Sequence, residues 1–199
     1  HARGERRLNR AYGLLDNGRL LDDLLTCGSG VTWYEGVVAG ARHDALGSVA
    51  LLRDGRELAA RLVVDASGHR PVLVPRVWSR PPAYQVAFGL RATFDRPPTP
   101  PGSANWMDYR HDFLPARTFA RTPTFLYAMH LGGDEYFVEE TALVTREVPL
   151  FEDLRARLTR RLEWLGTPPR EVLSEERVLF PMNAPVPDLS GRVVGFGGA

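Results

Sequence analysis

From Pro123 the chain reads Pro-Thr-Phe-Leu-Tyr-Ala-Met-His-Leu, then Gly132-Gly133-Asp134, then Glu-Tyr-Phe-Val-Glu-Glu-Thr-Ala-Leu-Val-Thr-Arg-Glu-Val-Pro-Leu-Phe-Glu, ending at Glu152. Two β-rich runs around a Gly-Gly-Asp turn predict an antiparallel hairpin. The second run holds two adjacent acids, Glu139 and Glu140. Side chains alternate along a strand, so the two carboxylates must leave it on opposite faces. One face takes Phe137, Glu139 and Thr141; the other takes Tyr136, Val138, Glu140 and Ala142. At least one acid is expected to meet an apolar interior, where burial disfavours the charged form and raises the pKa, as a proton donor requires. The plainer alternative is an edge strand with one solvated and one salt-bridged glutamate.

The rest of the chain supplies a frame for that hairpin. Leu14 to Leu25 is an apolar, Asp/Arg-flanked segment that predicts a helix ended by Gly28-Ser29-Gly30, with Val31 to Val38 as a strand. Val49 to Leu52 and Leu58 to Val64 predict a further hairpin about Asp54-Gly55. Val63-Val64 runs into Asp65-Ala66-Ser67-Gly68, and a strand that ends in small residues lets backbone approach a ligand closely. Prolines 71, 75, 81 and 82 break regular structure before a strand at Tyr84 to Phe94, and 97–101 reads as a loop. Phe151, Leu154, Leu158, Leu162 and Leu165 recur at helical spacing, with Gly166 and Pro168-Pro169 as the stop. Strands at Glu171 to Phe180 and Arg192 to Val194 follow, the last opening onto a glycine cluster of the kind that faces phosphates. Antiparallel strands with a few helices predict a mixed α/β (α+β) architecture.

Composition excludes more than it selects. The 199 residues carry a net charge of +1, which gives no reason to expect nucleic acid. All 25 basic residues are arginine, and the basic opening (Arg3, Arg6, Arg7, Arg10) reads as a solvated face. A single cysteine, Cys27, excludes an internal disulfide, fits a reducing compartment, and is expected to be a small buried residue. The five histidines (His1, His43, His69, His111, His130) lack metal-ligand spacing, and His130 is expected to be an exposed turn residue. No run approaches the ~20 apolar residues needed to span a bilayer. The chain opens without Met and without a signal peptide, and both ends read as cuts through a longer protein.

Seven ordered segments resemble the flavoprotein lycopene cyclases, the plant and cyanobacterial β-cyclase family with its bacterial relatives. Val63 to Gly68 is similar to the family's V-V-D-A-T-G, Tyr84 to Gly89 to Y-Q-V-A-Y-G, and Met107 to Arg110 to M-D-W-R. Pro123 to Met129 matches P-T-F-L-Y-A-M, and Phe137 to Thr141 is similar to F-L-E-E-T. Pro181-Met182 stands where the family has I-P-M-G-G, and Arg192 to Gly198 is similar to R-V-V-G-I-G-G. The departures are His130 for a Pro, Asn183-Ala184 for Gly-Gly, and the lack of an N-terminal G-x-G-x-x-G. The segment that would follow the last Gly-Gly is lacking too, so this piece is not expected to hold the cofactor alone.

The resemblance implies part of a Rossmann-like flavoprotein that binds FAD and NAD(P), with an antiparallel-sheet substrate domain. Residues 1–82 would belong to the FAD-binding domain, 83–180 to the substrate and catalytic domain, and 181–199 would return to the first. The implied reaction closes the linear ends of lycopene into β-ionone rings by protonation, with reduced FAD, NAD(P)H as reductant and no net redox change. It is an intramolecular lyase or isomerase chemistry. Glu139 matches the first motif glutamate and is the expected proton donor; Glu140, also a catalytic candidate, would be supporting. Trp106, Phe125, Tyr127 and Phe137 would face the developing cation, with core packing as the alternative for each. Asp108 and Arg110 would pair, either shaping the pocket or as a plain loop salt bridge. Asp65, Gly68, Gly195, Gly197 and Gly198 would meet the flavin. A linear carotenoid partner implies a cytoplasmic bacterial enzyme attached peripherally to the membrane. The alternatives are another FAD-dependent monooxygenase or prenyl-reductase type oxidoreductase, or a non-catalytic carotenoid-binding fragment.

Overall fold

The computed structural model describes residues 4, 6–186 and 191–198. His1 and Arg3 of the basic opening, and Ala199 of the glycine cluster, lie outside the described residues. The chain divides into two compact units, His1–Gly36 and Val37–Ala199.

The first unit holds helix α1 (Asn17–Cys27), started by the Asp16 side chain accepting from the Arg19 amide at 3.1 Å and ended at Gly28. None of its residues is buried, so Cys27 is exposed rather than the expected core residue. The expected strand at 31–38 is not formed. Backbone from Val31 to Gly36 has no ladder partner, and the strand begins only at Val38, opposite Leu52.

In the second unit, β1 (Val38–His43), β2 (Ser48–Leu52) and β3 (Glu57–Ala60) form a three-stranded antiparallel sheet. The expected Leu58–Val64 strand is two strands. Pairing with β2 ends at Ala60, and β4 (Val63–Asp65) instead pairs in parallel with β10 (Val193–Gly195). The parallel pair joins residues more than a hundred positions apart, a contact no local pattern announces.

The body of the fold is a five-stranded antiparallel sheet in the order β6 (Ala104–Asp108), β7 (Phe125–Gly132), β8 (Glu135–Thr145), β5 (Tyr84–Thr93), β9 (Glu171–Pro181). The predicted hairpin is β7 and β8, closed at Gly133, whose φ of 56° is left-handed and suits glycine. Strand β6 and the short helix α2 (Ala116–Arg121) are elements beyond the sequence reading. Asn183, which stands where the family pattern has glycine, accepts from the Ala83 amide at 2.7 Å and donates to the Pro81 carbonyl at 3.1 Å, fixing the entry to β5.

One face of this sheet is covered by α3 (Phe151–Leu165), whose Glu152 and Asp153 suit the positive end of the helix. Gly166, at φ 69°, ends it, with the Thr167 amide reaching back to the Leu162 carbonyl. Leu154, Leu158 and Leu162 are fully buried against Val86, Phe88, Leu90, Leu126, Tyr136 and Val138. Each leucine so buried contributes on the order of 1.5–3 kcal/mol. The sheet and α3 lie within residues 84–181, while the β4–β10 pair links the chain on either side of them.

Candidate active site

Strand β8 gives its two glutamates opposite fates. Glu140 points to the α3 face with Tyr136, Val138 and Ala142, and it is 0% exposed. A bare carboxylate there would be costly, and the sequence supplies a cation: Arg161 of α3, also fully buried. Arg161 Nε donates to Glu140 Oε2 at 2.6 Å and Nη2 to Oε1 at 2.8 Å, a bidentate pair. The Thr124 hydroxyl donates to Oε1 at 2.5 Å. The remaining guanidinium N–H groups reach the carbonyls of Asp108, Arg110 and Thr124, so every donor of Arg161 is used. The Phe113 ring lies 4.6 Å from the guanidinium carbon. Sequence reasoning passed over Arg161, although its position is three residues after Leu158, on the apolar stripe. A cation on such a stripe signals a buried anion elsewhere.

Glu139 has the other environment. It is 8% exposed and makes no ion pair among the described residues. Its one hydrogen-bonding partner there is the Thr141 hydroxyl, which donates to Oε1. Burial pushes its carboxyl above the ordinary glutamate range; the Thr141 hydroxyl pulls the other way, and the negative charge of Glu176 adds to the rise.

The ladder lines up what surrounds Glu139. Tyr127 of β7 and Gly89 of β5 stand directly opposite it, and Phe125 opposite Thr141. Phe125 packs against Tyr127 with ring centroids 5.2 Å apart and against Tyr109 at 5.1 Å. Phe137 lies over Gly89: an added Cβ there would stand 2.8 Å from the Phe137 Cζ and 3.6 Å from the Glu139 Cγ. Glycine in a central strand weakens it, and here the bare position admits the ring and the acid together. Phe125, Tyr127, Phe137 and Glu139 are thus brought onto one sheet face. A desolvated acid beside aromatic rings can protonate an apolar alkene and leave the resulting cation next to π faces.

Other predicted residues lie elsewhere. Asp108 pairs with Leu126, on the α3 face, and its carboxylate is gripped by Arg110 through Nε at 2.9 Å. Burial would raise the Asp108 carboxyl, but the Arg110 fork and the Arg110 amide hold it below the usual range. The expected pocket-shaping role is corrected: the β6 register puts this ion pair behind the sheet, beside Arg161. Trp106 is half-buried at the irregularity of β6 between Asn105 and Asp108. His130 is held on both ring nitrogens, Nδ1 accepting from the Gly102 amide at 3.0 Å and Nε2 donating to the Gly133 carbonyl at 3.1 Å. It is a tie for the hairpin end, rather than the exposed turn residue expected.

A second cluster forms where β4 meets β10. Gly195 pairs with Asp65, and the Phe196 amide donates to the Asp65 carbonyl at 2.9 Å. Burial would raise the Asp65 carboxyl, but donation from the Ser67 hydroxyl and from the Leu73, Ser67 and Val74 amides outweighs it. Asp65 therefore turns inward, shaping the 67–74 loop rather than facing a ligand. Gly198 is required by packing, since an added Cβ would stand 3.0 Å from the His69 nitrogen. Gly68 and Gly197 are left-handed, at φ 91° and 65°, with open space where a side chain would stand. An open cleft of about 610 Å³ lined by His69, Arg70, Arg76 and Trp78 adjoins them.

Residues 1–199 match the family described as lycopene cyclase protein. An uncharacterized carotenoid cyclase of Deinococcus radiodurans is 47% identical over 193 residues, covering 96% of this chain and 46% of its own length. A lycopene beta cyclase of Synechococcus elongatus is 44% identical over 190 residues, covering 94% and 46%. The chain therefore spans about half the length of these curated relatives. Among solved structures, HpxO of Klebsiella pneumoniae complexed with FAD superposes with a TM-score of 0.58 at 14% identity, over 91% of this chain and 48% of that one, a likeness of fold alone.

Proposed function

The chain belongs to the lycopene cyclase family, and from that premise we propose that it is the acid-bearing part of a lycopene β-cyclase. The observation that carries this reading is Glu139: buried, without a cationic partner among the described residues, and set among Phe125, Tyr127 and Phe137 on one face of the sheet. The carboxylic acid of Glu139 delivers a proton to the terminal double bond of a linear carotenoid. The aromatic face holds the cation while the neighbouring double bond closes the ring, and loss of a ring proton completes an isomerisation. Glu140 takes no proton in this scheme; with Arg161 it fixes β8 against α3, and so fixes the direction in which Glu139 points.

The backbone of Gly68 and Gly197, supported by Asp65, Gly195 and Gly198, would hold part of an FAD. When bound and reduced, with NAD(P)H as the source of electrons, the flavin supplies an electron-rich face that favours a nearby cation. In this reading 83–180 is the substrate domain and the segments on either side are parts of the flavin domain. No helix of the described residues is long and apolar enough to cross a membrane, and access to a bilayer-dissolved carotenoid would come through peripheral attachment.

Expression of the complete gene product in lycopene-accumulating cells tests this. β-Ring carotenoids in place of lycopene are expected; unchanged lycopene, with folded protein present, contradicts the reading.

A further inference from the structure

Across the middle of the sheet, three strands present one row: Glu176 of β9, Gly89 of β5 and Glu139 of β8. Residues in direct register share a face, so both carboxylates rise from the same side. Their backbones are two strand spacings apart, about 10 Å. The residue between them has no side chain, and the Glu139 Cγ stands 3.6 Å from where a Cβ would be. The Phe137 ring lies over that bare position, its Cζ 2.8 Å from where the Cβ would be, and so stands between the two acids. The adjacent Glu175 goes the other way, held by Arg155 at 2.9 Å and Arg177 at 3.0 Å. Glu176 makes no ion pair among the described residues and is exposed. The charged groups nearby on the same face are Arg91 of β5 and Glu135 of β8, which pair with each other. Tyr127 of β7 is the titratable neighbour on the far side of Glu139.

Cyclisation needs two proton events, a gift to the terminal double bond and a removal from the ring. Resting on the cyclase reading, we propose that Glu176, across the Phe137 ring from Glu139, is the catalytic base that removes the ring proton. The Glu139 O–H bond breaks as a C–H bond forms at the terminal alkene carbon. The internal double bond supplies the pair for the ring C–C bond, which moves the cation onto the ring. A ring C–H bond then breaks: its electron pair becomes the ring double bond and its proton passes to the Glu176 carboxylate. The exposed Glu176 gives that proton to water and Glu139 takes one back from water, so no proton, electron or co-reactant is consumed overall. The negative charge of Glu176 also favours the protonated form of Glu139 before each turnover.

A ring cation that loses its base does not stop reacting. It gives up a proton from another adjacent carbon, or captures water. The test compares Glu176→Gln, Glu176→Asp and Glu175→Gln in the complete, flavin-loaded gene product, with linear carotenoid supplied and ring products separated. Glu176→Gln is expected to lower β-ring formation by about tenfold or more and to yield displaced-double-bond or hydroxylated rings. Glu176→Asp is expected to restore part of the β-ring product, and Glu175→Gln to leave the product pattern unchanged. Parent rate and product from Glu176→Gln overturn the proposal and leave the cyclase reading standing. A parent that never closes a ring overturns both.

Discussion

Glu139 and Glu140 are adjacent and chemically identical, and the strand period alone sends them to different media. Glu140 meets Arg161 and becomes half of a buried ion pair; Glu139 meets aromatic rings, one hydroxyl and the charge of Glu176. Two consequences are measurable. Because the Glu139 carboxyl is raised in the folded state, the fold binds its proton more tightly than the unfolded chain does. Its contribution is fully present below the ordinary glutamate pKa of about 4.3 and is lost as pH rises through the folded value. Glu139→Gln should therefore match the parent in stability at acid pH and exceed it near neutrality, read from denaturation midpoints across pH. A variant that stays equal to the parent at every pH would show that the acid is not desolvated. Arg161→Ala strands the Glu140 carboxylate and should cost about 3–5 kcal/mol, much of it recovered by Arg161→Met with Glu140→Leu. Equal losses from the single and the double variant would contradict the pairing.

Among the elements, legibility followed the range of the interaction. The β7–β8 hairpin and α3 are written in local pattern, a glycine turn and a leucine period, and both form where that pattern puts them, although the second β-rich run extends to Glu152 and β8 ends at Thr145. Strand β6 escaped because Ala104-Asn-Trp-Met-Asp has no alternation, and only its pairing with β7 makes it a strand. The 31–38 segment erred in the other direction: among the described residues its β-formers before Val37 join no strand ladder, and β1 begins only at Val38. At the site, the faces of Glu139 and Glu140 could be read from the strand period. Arg161, Gly89 and Glu176 could not, since their meaning depends on register between distant strands. Gly89 is the clearest case. Gly89→Ala drives a methyl against Phe137 and should displace both that ring and Glu139. Ring-forming rate is expected to fall by about tenfold or more with only a modest loss of stability. A fully active Gly89→Ala would show that the ring over Gly89 does not position the acid.

At the scale of the whole molecule, the chain is organised about one antiparallel sheet with two working faces. The α3 face is structural: it buries the leucines and the Glu140–Arg161 pair, and carries the Asp108–Arg110 pair, of which Asp108 is buried and Arg110 exposed. The opposite face carries the acid and the rings, while the β4–β10 pair gathers glycine turns contributed by both flanks of the sheet. The family resemblance in seven short motifs suggests a partition at residues 82 and 180, while compactness divides the chain at Gly36. What the motifs could not supply was the direction of each side chain, which moved Asp108 and Arg110 behind the sheet and Asp65 into its own loop. The central claim is that Glu139 is the group that protonates the alkene. The most direct measurement is the cyclisation rate of the complete, flavin-loaded Glu139→Gln protein, with its fold checked by unfolding. The account predicts a loss of about a hundredfold or more with the fold intact; a folded Glu139→Gln that closes rings at the parent rate would contradict it.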